Sequence, residues 1–378
     1  MTIVIAPDSY KESLSSIEVA RSIKKGFLSI FPEATYVLAP LGDGGEGTVS
    51  SMVYSENGTI VKTRVQNALG EKIDSFYGLI NDKNTAVIEM AAASGLEQIK
   101  EEDRDIMNSS TYGFGELILH AIHKGAKHLI LCLGGSATND AGIGMLNALG
   151  VKFYDKNKLE IRSNSKNVSK IIAFDASALI KTFKNITIEV ACDVQNPLYG
   201  EHGASYIFAK QKGASEEDIK ILDSGLESFA VLCARIFKKD YSKCEGAGAA
   251  GGLGFALLAF LEAPLVSGID LVLEHLSLED KIKNATLLIT GEGKIDKQTL
   301  DGKTIMGLAK LSSKHKIKTI VIAGCLGEGY ELILKKGVDI VFDCTPINSS
   351  FSLLKQNAKY NLEQTSNSIA KCLKMNLG

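Results

Sequence analysis

Carboxylates, lysines and hydroxyls set among glycines recur along this chain. The run Thr286–Thr304, TLLITGEGKIDKQTLDGKT, carries the largest set. An apolar stretch of β type, Leu287–Thr290, stops at Gly291. A loop bearing Glu292, Asp296, Gln298 and Thr299 follows, then Asp301-Gly302-Lys303-Thr304 and a helical pattern. A strand, a glycine loop with acids and a lysine, and a helix together present backbone N–H groups to phosphate and carboxylates to a metal. Gly302-Lys303-Thr304 has the form of the end of a Walker A loop. Lys297 stands where that motif needs its first glycine, so this is not a P-loop as defined.

Four other loops have similar composition. Asp8-Ser9-Tyr10-Lys11 follows the first apolar strand. Its lysine could neutralise a carboxylate or a transferring phosphoryl group, and Asp8 could hold a metal or accept a proton. The plainer reading is an N-cap at Ser13 or Ser15 with Lys11 in solvent. Gly42-Asp43-Gly44-Gly45-Glu46-Gly47-Thr48 sets two acids among four glycines, whose permissive backbone lets N–H groups converge on an anion. Gly134-Gly135-Ser136-Ala137-Thr138-Asn139-Asp140 follows the strand-like LILCL and opens a helix, a setting suited to phosphate, although Asn139 or Asp140 could simply cap that helix. Asp193, with Asn196 three residues on, stands just past another apolar strand, a position for a metal ligand, a general base or a turn-forming acid.

Gly246-Ala-Gly248-Ala-Ala-Gly251 matches the dinucleotide pattern GxGxxG, and Asp270 lies near the spacing of a ribose-binding acid. The preceding KKDYSKCE is too charged for the strand that fingerprint requires, so close packing or another anion loop is the better reading. The six histidines form no zinc-like set; His120 and His123 share a helical face near His128. Hard oxygen ligands among glycines suit Mg²⁺ better than a soft-ligand metal.

These loops need a scaffold. The first sixty residues read β-α-β-α: Thr2–Ala6, Ser15–Ile30, Tyr36–Ala39 and Gly47–Tyr54. From about Ile60 to Met90 the rhythm changes to antiparallel strands, Val61–Val65, Ile73–Ile80 and Thr85–Met90. The sequence then predicts a helix over Tyr112–Lys124, a strand over Lys127–Leu133, a helix over Ala141–Leu149, a strand over Thr187–Ala191 and a long helix over Ser215–Phe237. After Lys283 the β-α-β rhythm returns over Thr286–Thr290, Ile305–Ser313, Thr319–Ala323, Glu331–Lys336 and Val338–Asp343, and Asn357–Leu373 closes the chain as a helix. Similar ends around a different middle predict an α/β protein: a discontinuous Rossmann-like parallel-sheet domain, residues 1–60 plus 284–378, with a second α/β domain of mixed sheet, 61–283, inserted. The cleft between two such domains is the default place for a ligand.

At 378 residues two domains are expected, and 45% hydrophobic with 23% charged residues fits a globular protein. The 42 Lys plus Arg nearly balance 44 Asp plus Glu, leaving net charge −2 and no basic field for nucleic acid or a membrane surface. Seven cysteines with no CxxC pair, and a chain that opens at once on a strand without a signal-peptide pattern, point to a reduced cytoplasm. No apolar run approaches the ~18 residues of a membrane span.

The chain resembles the bacterial glycerate kinase family, type I, nearly end to end. The resemblance rests on APDSYKESLSS at 6–16, GDGGEGT at 42–48, LGGSATNDAGIGMLNALG at 133–150, ACDVQNPLYGEHGA at 191–204, QKGA at 211–214, GAGAAGGLG at 246–254, SGIDLVLE at 267–274 and ITGEGKIDKQTLDGKT at 289–304. Departures are local: Gly42 for a usual Ala, Ala141 for a frequent Gly, Ala209-Lys210 for Gly-Pro, Glu245 for Pro, and Ile305-Met306 where a Pro is common. The resemblance implies ATP-dependent phosphorylation of D-glycerate with Mg²⁺, favours 2-phosphoglycerate as product, and admits a homodimer.

On that footing Asp8, Ser9, Lys11, Gly44, Gly45, Glu46 and Asn196 are candidates to bind the substrate, with Lys11 meeting its carboxylate. Gly134, Gly135, Ser136, Thr138, Asn139, Glu292, Gln298 and Lys303 are candidates for the ATP side. Asp193 is the first choice for the base or Mg²⁺ ligand; Asp43, Glu292 and Asp296 are its rivals. Two other readings stay open, an NAD-dependent oxidoreductase of a small hydroxy acid and a non-catalytic hydroxy-acid-binding protein.

Overall fold

The computed structural model describes residues 1–11, 13–81, 83–300, 303–346 and 351–376, and for Lys303, Phe351 and Asn376 the backbone alone. The chain divides into two compact units. The first comprises Met1–Asp43, Ser50–Asn57 and Ile269–Gly378; the second comprises Gly44–Val49 and Gly58–Gly268.

The first unit is built on five strands: β1 (Thr2–Ile5), β2 (Thr35–Leu38), β11 (Leu287–Ile295), β12 (Lys318–Leu326) and β13 (Ile340–Asp343). They lie in the order β13-β12-β11-β1-β2, and every pairing is parallel. Successive side chains of a strand point to opposite faces, so both faces of such a sheet must be covered. Ile3, Ile5, Leu287, Ile289, Ile320 and Ile322 face one hydrophobic layer, while Ile295, Val321 and Ala323 face another. The first layer is closed by the helix Ser16–Leu28 and by the helix Phe351–Asn376. Ser15 starts the former with a capping box to Glu18, and Val19, Ala20, Ile23 and Phe27 form its buried stripe. The chain leaves β1 for β2 on one side and for β11 on the other. The switch in direction falls between β1 and β11, and in open α/β sheets ligands bind beyond the carboxyl ends of the strands at such a point.

The second unit has a six-stranded mixed sheet in the order β10-β9-β6-β5-β4-β3. Its strands are β3 (Thr59–Gln66), β4 (Lys72–Ile80), β5 (Thr85–Glu89), β6 (His128–Cys132), β9 (Thr187–Ala191) and β10 (Leu265–Val266). β3, β4 and β5 pair antiparallel; β5, β6, β9 and β10 pair parallel. A separate hairpin pairs β7 (Lys152–Tyr154) with β8 (Ala173–Asp175). Its Phe153 and Phe174 join Phe229, Phe255 and Phe260 in an aromatic core, where Phe229 and Phe260 stack at 6.2 Å.

Two sequence expectations need correction. The acidic loop after Gly291 is not a loop at its start: β11 continues to Ile295, with Glu292 opposite Ala323 and Lys294 opposite Cys325 on β12. The glycines interrupt the apolar pattern but not the hydrogen-bonded ladder. Gly291 is required there, because a Cβ would lie 2.0 Å from the Ile322 carbonyl oxygen. The segment Glu331–Lys336 is a 3₁₀ turn, not part of a βαβ unit's α-helix.

Candidate active site

In the first unit, a cavity of about 660 Å³ opens beyond the carboxyl ends of β1, β11, β12 and β13. Asp8, Lys11, Asp43, Glu292 and Asp296 line it together with Ser9 and Gln298, and Leu354 and Ala358 add an apolar wall. The sequence candidates from three separate loops therefore share one cavity.

The turn after β1 is held from both ends. Asp8 N–H donates to the Gly291 carbonyl at 2.9 Å, and Tyr10 N–H to the Leu14 carbonyl at 2.8 Å. The buried Tyr10 hydroxyl donates to the Ile322 carbonyl at 2.7 Å, across the sheet. Tyr10 thus fixes the backbone from which Asp8 and Lys11 project. Asp8 itself accepts from Ser9 N–H at 2.6 Å and from the Thr304 hydroxyl at 3.2 Å. Burial, and then the charge of Asp43, push its pKa up to about 6.

Glu292 is pushed further, to about 7, by burial first and by the charges of Asp8 and Asp296; the Thr299 hydroxyl and Lys11 pull the other way. Thr299 Oγ1 donates to Glu292 at 2.7 Å and accepts from Asp296 N–H at 3.2 Å, so one hydroxyl ties the Glu292 carboxylate to the backbone of Asp296. Asp296 differs from its neighbours. Lys294 at 2.8 Å and the Gln298 N–H at 2.8 Å hold its pKa below the usual carboxylate range. Acids of unequal basicity in one cavity are what acid–base or metal-assisted chemistry uses. Asp301, Gly302 and the side chain of Lys303 lie outside the described residues.

In the second unit, the amides of the glycine loop before the helix Thr48–Ser55 do converge on an anion, and it is the protein's own. Glu89, at the end of β5 and 4% exposed, accepts from Val49 N–H at 2.7 Å and also from Gly47 and Thr48. Burial raises its pKa to about 7 against these donors. Gly44 N–H donates to Thr48 Oγ1 at 3.1 Å. Gly44, Gly45 and Glu46 therefore sit in a loop braced by a residue that local sequence reading did not single out.

The loop 134–140 is braced likewise. Asp140 is fully buried and accepts from Thr111 N–H and Thr111 Oγ1, and from the N–H groups of Gly142 and Gly144, all between 2.8 and 3.1 Å. It ties the starts of two helices, the capping role that its position allowed. Leu96 N–H donates to the Gly135 carbonyl, and Ala137 N–H to the Ser94 carbonyl, each at 2.9 Å. The side chains of Ser136, Thr138 and Asn139 are all buried, and Asn139 Nδ2 donates to Ser205 Oγ at 3.0 Å. Ala141 has φ +52, a left-handed conformation that explains why glycine suits this place.

Asp193 follows β9 and accepts from Gly268 N–H at 2.9 Å. Asn196 is a local brace: its Nδ2 donates to the His202 carbonyl at 2.8 Å, and its own carbonyl accepts from Gly248 N–H at 2.9 Å. The GxGxxG match is a packing element. No strand leads directly into it among the described residues, the element before it being the helix Glu216–Phe237, and a Cβ on Gly251 (φ +68) would strike the Thr138 carbonyl oxygen at 2.1 Å.

Comparison with known proteins agrees with this arrangement. The sequence model of the Glycerate kinase family matches residues 3–374. A "Glycerate kinase" of Bacillus cereus is 46% identical over 375 residues, 99% of this chain and 98% of that protein. A "Glycerate 2-kinase" of Escherichia coli K12 is 46% identical over 373 residues, 99% and 98%. The crystal structure of a putative glycerate kinase 2 from Salmonella typhimurium LT2 superposes with a TM-score of 0.91 at 44% identity, covering 100% of this chain and 99% of that one. With acid- and glycine-rich loops on two α/β units and full-length relatives of this kind, the chain belongs to the glycerate kinase family.

Proposed function

We propose that this protein transfers the γ-phosphoryl group of ATP to O2 of D-glycerate, giving 2-phosphoglycerate and ADP, with Mg²⁺ as cofactor. The observation that carries the chemistry is the cavity of the first unit, lined by Asp8, Lys11, Asp43, Glu292 and Asp296, where the charge of Lys11 acts on Asp8 and Glu292. Family membership supports the substrate, and the name of the Escherichia coli relative supports O2 as the acceptor.

The acids fit a hard divalent cation. They are oxygen donors in one cavity, and two of them have pKa values raised by burial and by mutual repulsion, which a cation would relieve. Asp8 and Glu292, whose charges act on each other, are the residues we assign to hold it, with Asp43 and Asp296 contributing negative charge nearby. Bound there, Mg²⁺ would neutralise charge on phosphoryl oxygens. Lys11 pairs with the glycerate carboxylate, and Ser9 orients it. In the second unit, Asp193 is the acceptor for the proton of the glycerate hydroxyl, and Gly134–Asn139 is the candidate loop for the ATP phosphates.

The reading is tested by following ADP release with D-glycerate, ATP and Mg²⁺ in a coupled assay and identifying the product by phosphorus NMR. Glycerate-dependent ADP release with phosphate on O2 is expected. Folded protein that releases no ADP in response to glycerate would overturn it. The structure adds nothing to the NAD-dependent reading, since the GxGxxG run lacks its strand.

A further inference from the structure

Lys212 ends a short 3₁₀ turn, Lys210–Lys212, and is 3% exposed. Its Nζ donates to Ser136 Oγ at 2.7 Å and to the Thr138 carbonyl at 2.8 Å. Both acceptors are neutral. Asp140 is the acid whose field it feels, but that carboxylate is engaged by Thr111, Gly142 and Gly144. A buried ammonium without a paired carboxylate is costly to keep, and burial pushes its pKa down to about 7. Such a group is retained where its charge acts on something else.

What it can act on is Ser136. A hydroxyl has one proton and two lone pairs. Ser136 Oγ accepts from the lysine, so its own O–H is left to donate, and a hydroxyl polarised by an ammonium is the stronger donor. The backbone of the serine is held in place, bridged to Gly95 and flanked by the Gly135–Leu96 and Ala137–Ser94 hydrogen bonds, and Lys212 holds its hydroxyl. A second observation points to a ligand at the same loop. Thr138 Oγ1 and Asn139 Oδ1 are buried, yet neither has a hydrogen-bond partner among the described residues. Native interiors rarely leave such atoms unpaired.

We infer that Lys212 is the positioning residue of the loop 134–139, holding Ser136 and Thr138 so that Ser136 Oγ–H donates to a phosphate oxygen of ATP. The inference rests on the assignment of this loop to ATP made above. Lys212 stands 76 residues from Ser136 in sequence, and nothing local to either residue announces the pair.

The test is a double-mutant cycle of Lys212→Met and Ser136→Ala, read as KM for ATP, KM for glycerate, kcat and Tm. Each single variant should raise the KM for ATP about 10-fold, the scale of one charge-assisted hydrogen bond, and leave the KM for glycerate unchanged. The double variant should be no worse than either single one, since both remove the same contact. Relief of the buried charge offsets the cost of leaving the Thr138 carbonyl without its donor, so Tm should change little in Lys212→Met. If Lys212→Met does not fold, Lys212→Gln, which keeps an N–H donor without the charge, takes its place in the cycle. Wild-type kinetics in the lysine variant with an impaired Ser136→Ala would overturn the inference and leave the loop assignment standing. Losses that multiply in the double variant would also overturn it. Wild-type kinetics in both single variants would show that the loop does not bind ATP, and the inference would fall with that assignment.

Discussion

The carboxylate of Glu89 and the amide of Val49, 40 residues apart in sequence, meet at 2.7 Å. Gly47 and Thr48 turn their amides to the same carboxylate. A glycine loop that reads as an anion receptor is therefore an anion receptor already filled, and any ligand of Gly44–Glu46 must be recognised by side chains or by the amides that Glu89 leaves.

Removing Glu89 should be costly. Glu89→Ala leaves buried N–H groups without an acceptor, and at ~1–3 kcal/mol for an unsatisfied buried group a loss of roughly 2–4 kcal/mol is expected in urea denaturation. The pH dependence has a defined sign. The pKa of Glu89 in the fold is about 7 against 4.5 for the free group, so between these values the native state binds more protons than the unfolded one. Its contribution is complete below pH 4.5 and is lost as pH rises through 7, by roughly 3 kcal/mol. Glu89→Gln should flatten that part of the stability profile, and an unchanged profile would refute the assignment.

Asp8 and Glu292 give a second pH prediction. Both have raised pKa values, about 6 and about 7. In metal-free protein they too favour low pH, and their contribution is lost as pH rises through those values. A divalent ion binds the ionised forms and reverses the sign. Mg²⁺ affinity measured by calorimetry should fall about 10-fold between pH 8 and pH 6 from Glu292 alone, and Mg²⁺ should raise Tm more at pH 8 than at pH 6. Glu292→Gln should remove most of that difference. Equal affinity at the two pH values would mean that these acids do not hold the ion.

Much of the scaffold is readable locally. The strand preceding Asp8, the capped helix after Ser15 and the strand before Gly134 follow from apolar periodicity and from Ser, Gly and Asp at their ends. What escapes local reading depends on partners distant in the chain. Glu292 reads as a loop residue because Gly291 and Gly293 interrupt the apolar run, while β12 supplies the ladder that makes it strand. Glu89 ends an apolar strand and Lys212 sits in the QKGA run at 211–214, and neither stands out by its local chemistry. Each becomes legible only when the fold brings Val49 or Ser136 beside it.

Tyr10 is a further residue of this kind, and it can be tested without touching a charged group. Its hydroxyl bonds the Ile322 carbonyl and steadies the turn that carries Asp8 and Lys11. Tyr10→Phe keeps the ring and removes that bond. A loss of about 1–2 kcal/mol is expected on denaturation. The KM for glycerate should rise more than kcat falls, because the binding residues lose their fixed backbone while the reacting groups remain. A fall in kcat with unchanged KM would place the effect elsewhere.

Asp193 is the sharpest test of the chemical step. It stands past the end of β9 with one carboxylate oxygen fixed by the Gly268 amide at 2.9 Å. Asparagine can keep that bond through its carbonyl oxygen, so Asp193→Asn retains shape and orientation while removing the charge and the ability to take a proton. If Asp193 accepts the proton of the glycerate hydroxyl, kcat should fall by at least ~10²-fold with little change in either KM or in Tm. Asp193→Ala removes the anchored oxygen as well, so it should lose stability beyond what the asparagine variant loses. A near-wild-type kcat in Asp193→Asn would take the base out of the second unit and leave Asp43 and Asp296, both in the cavity of the first, as the acids to test next.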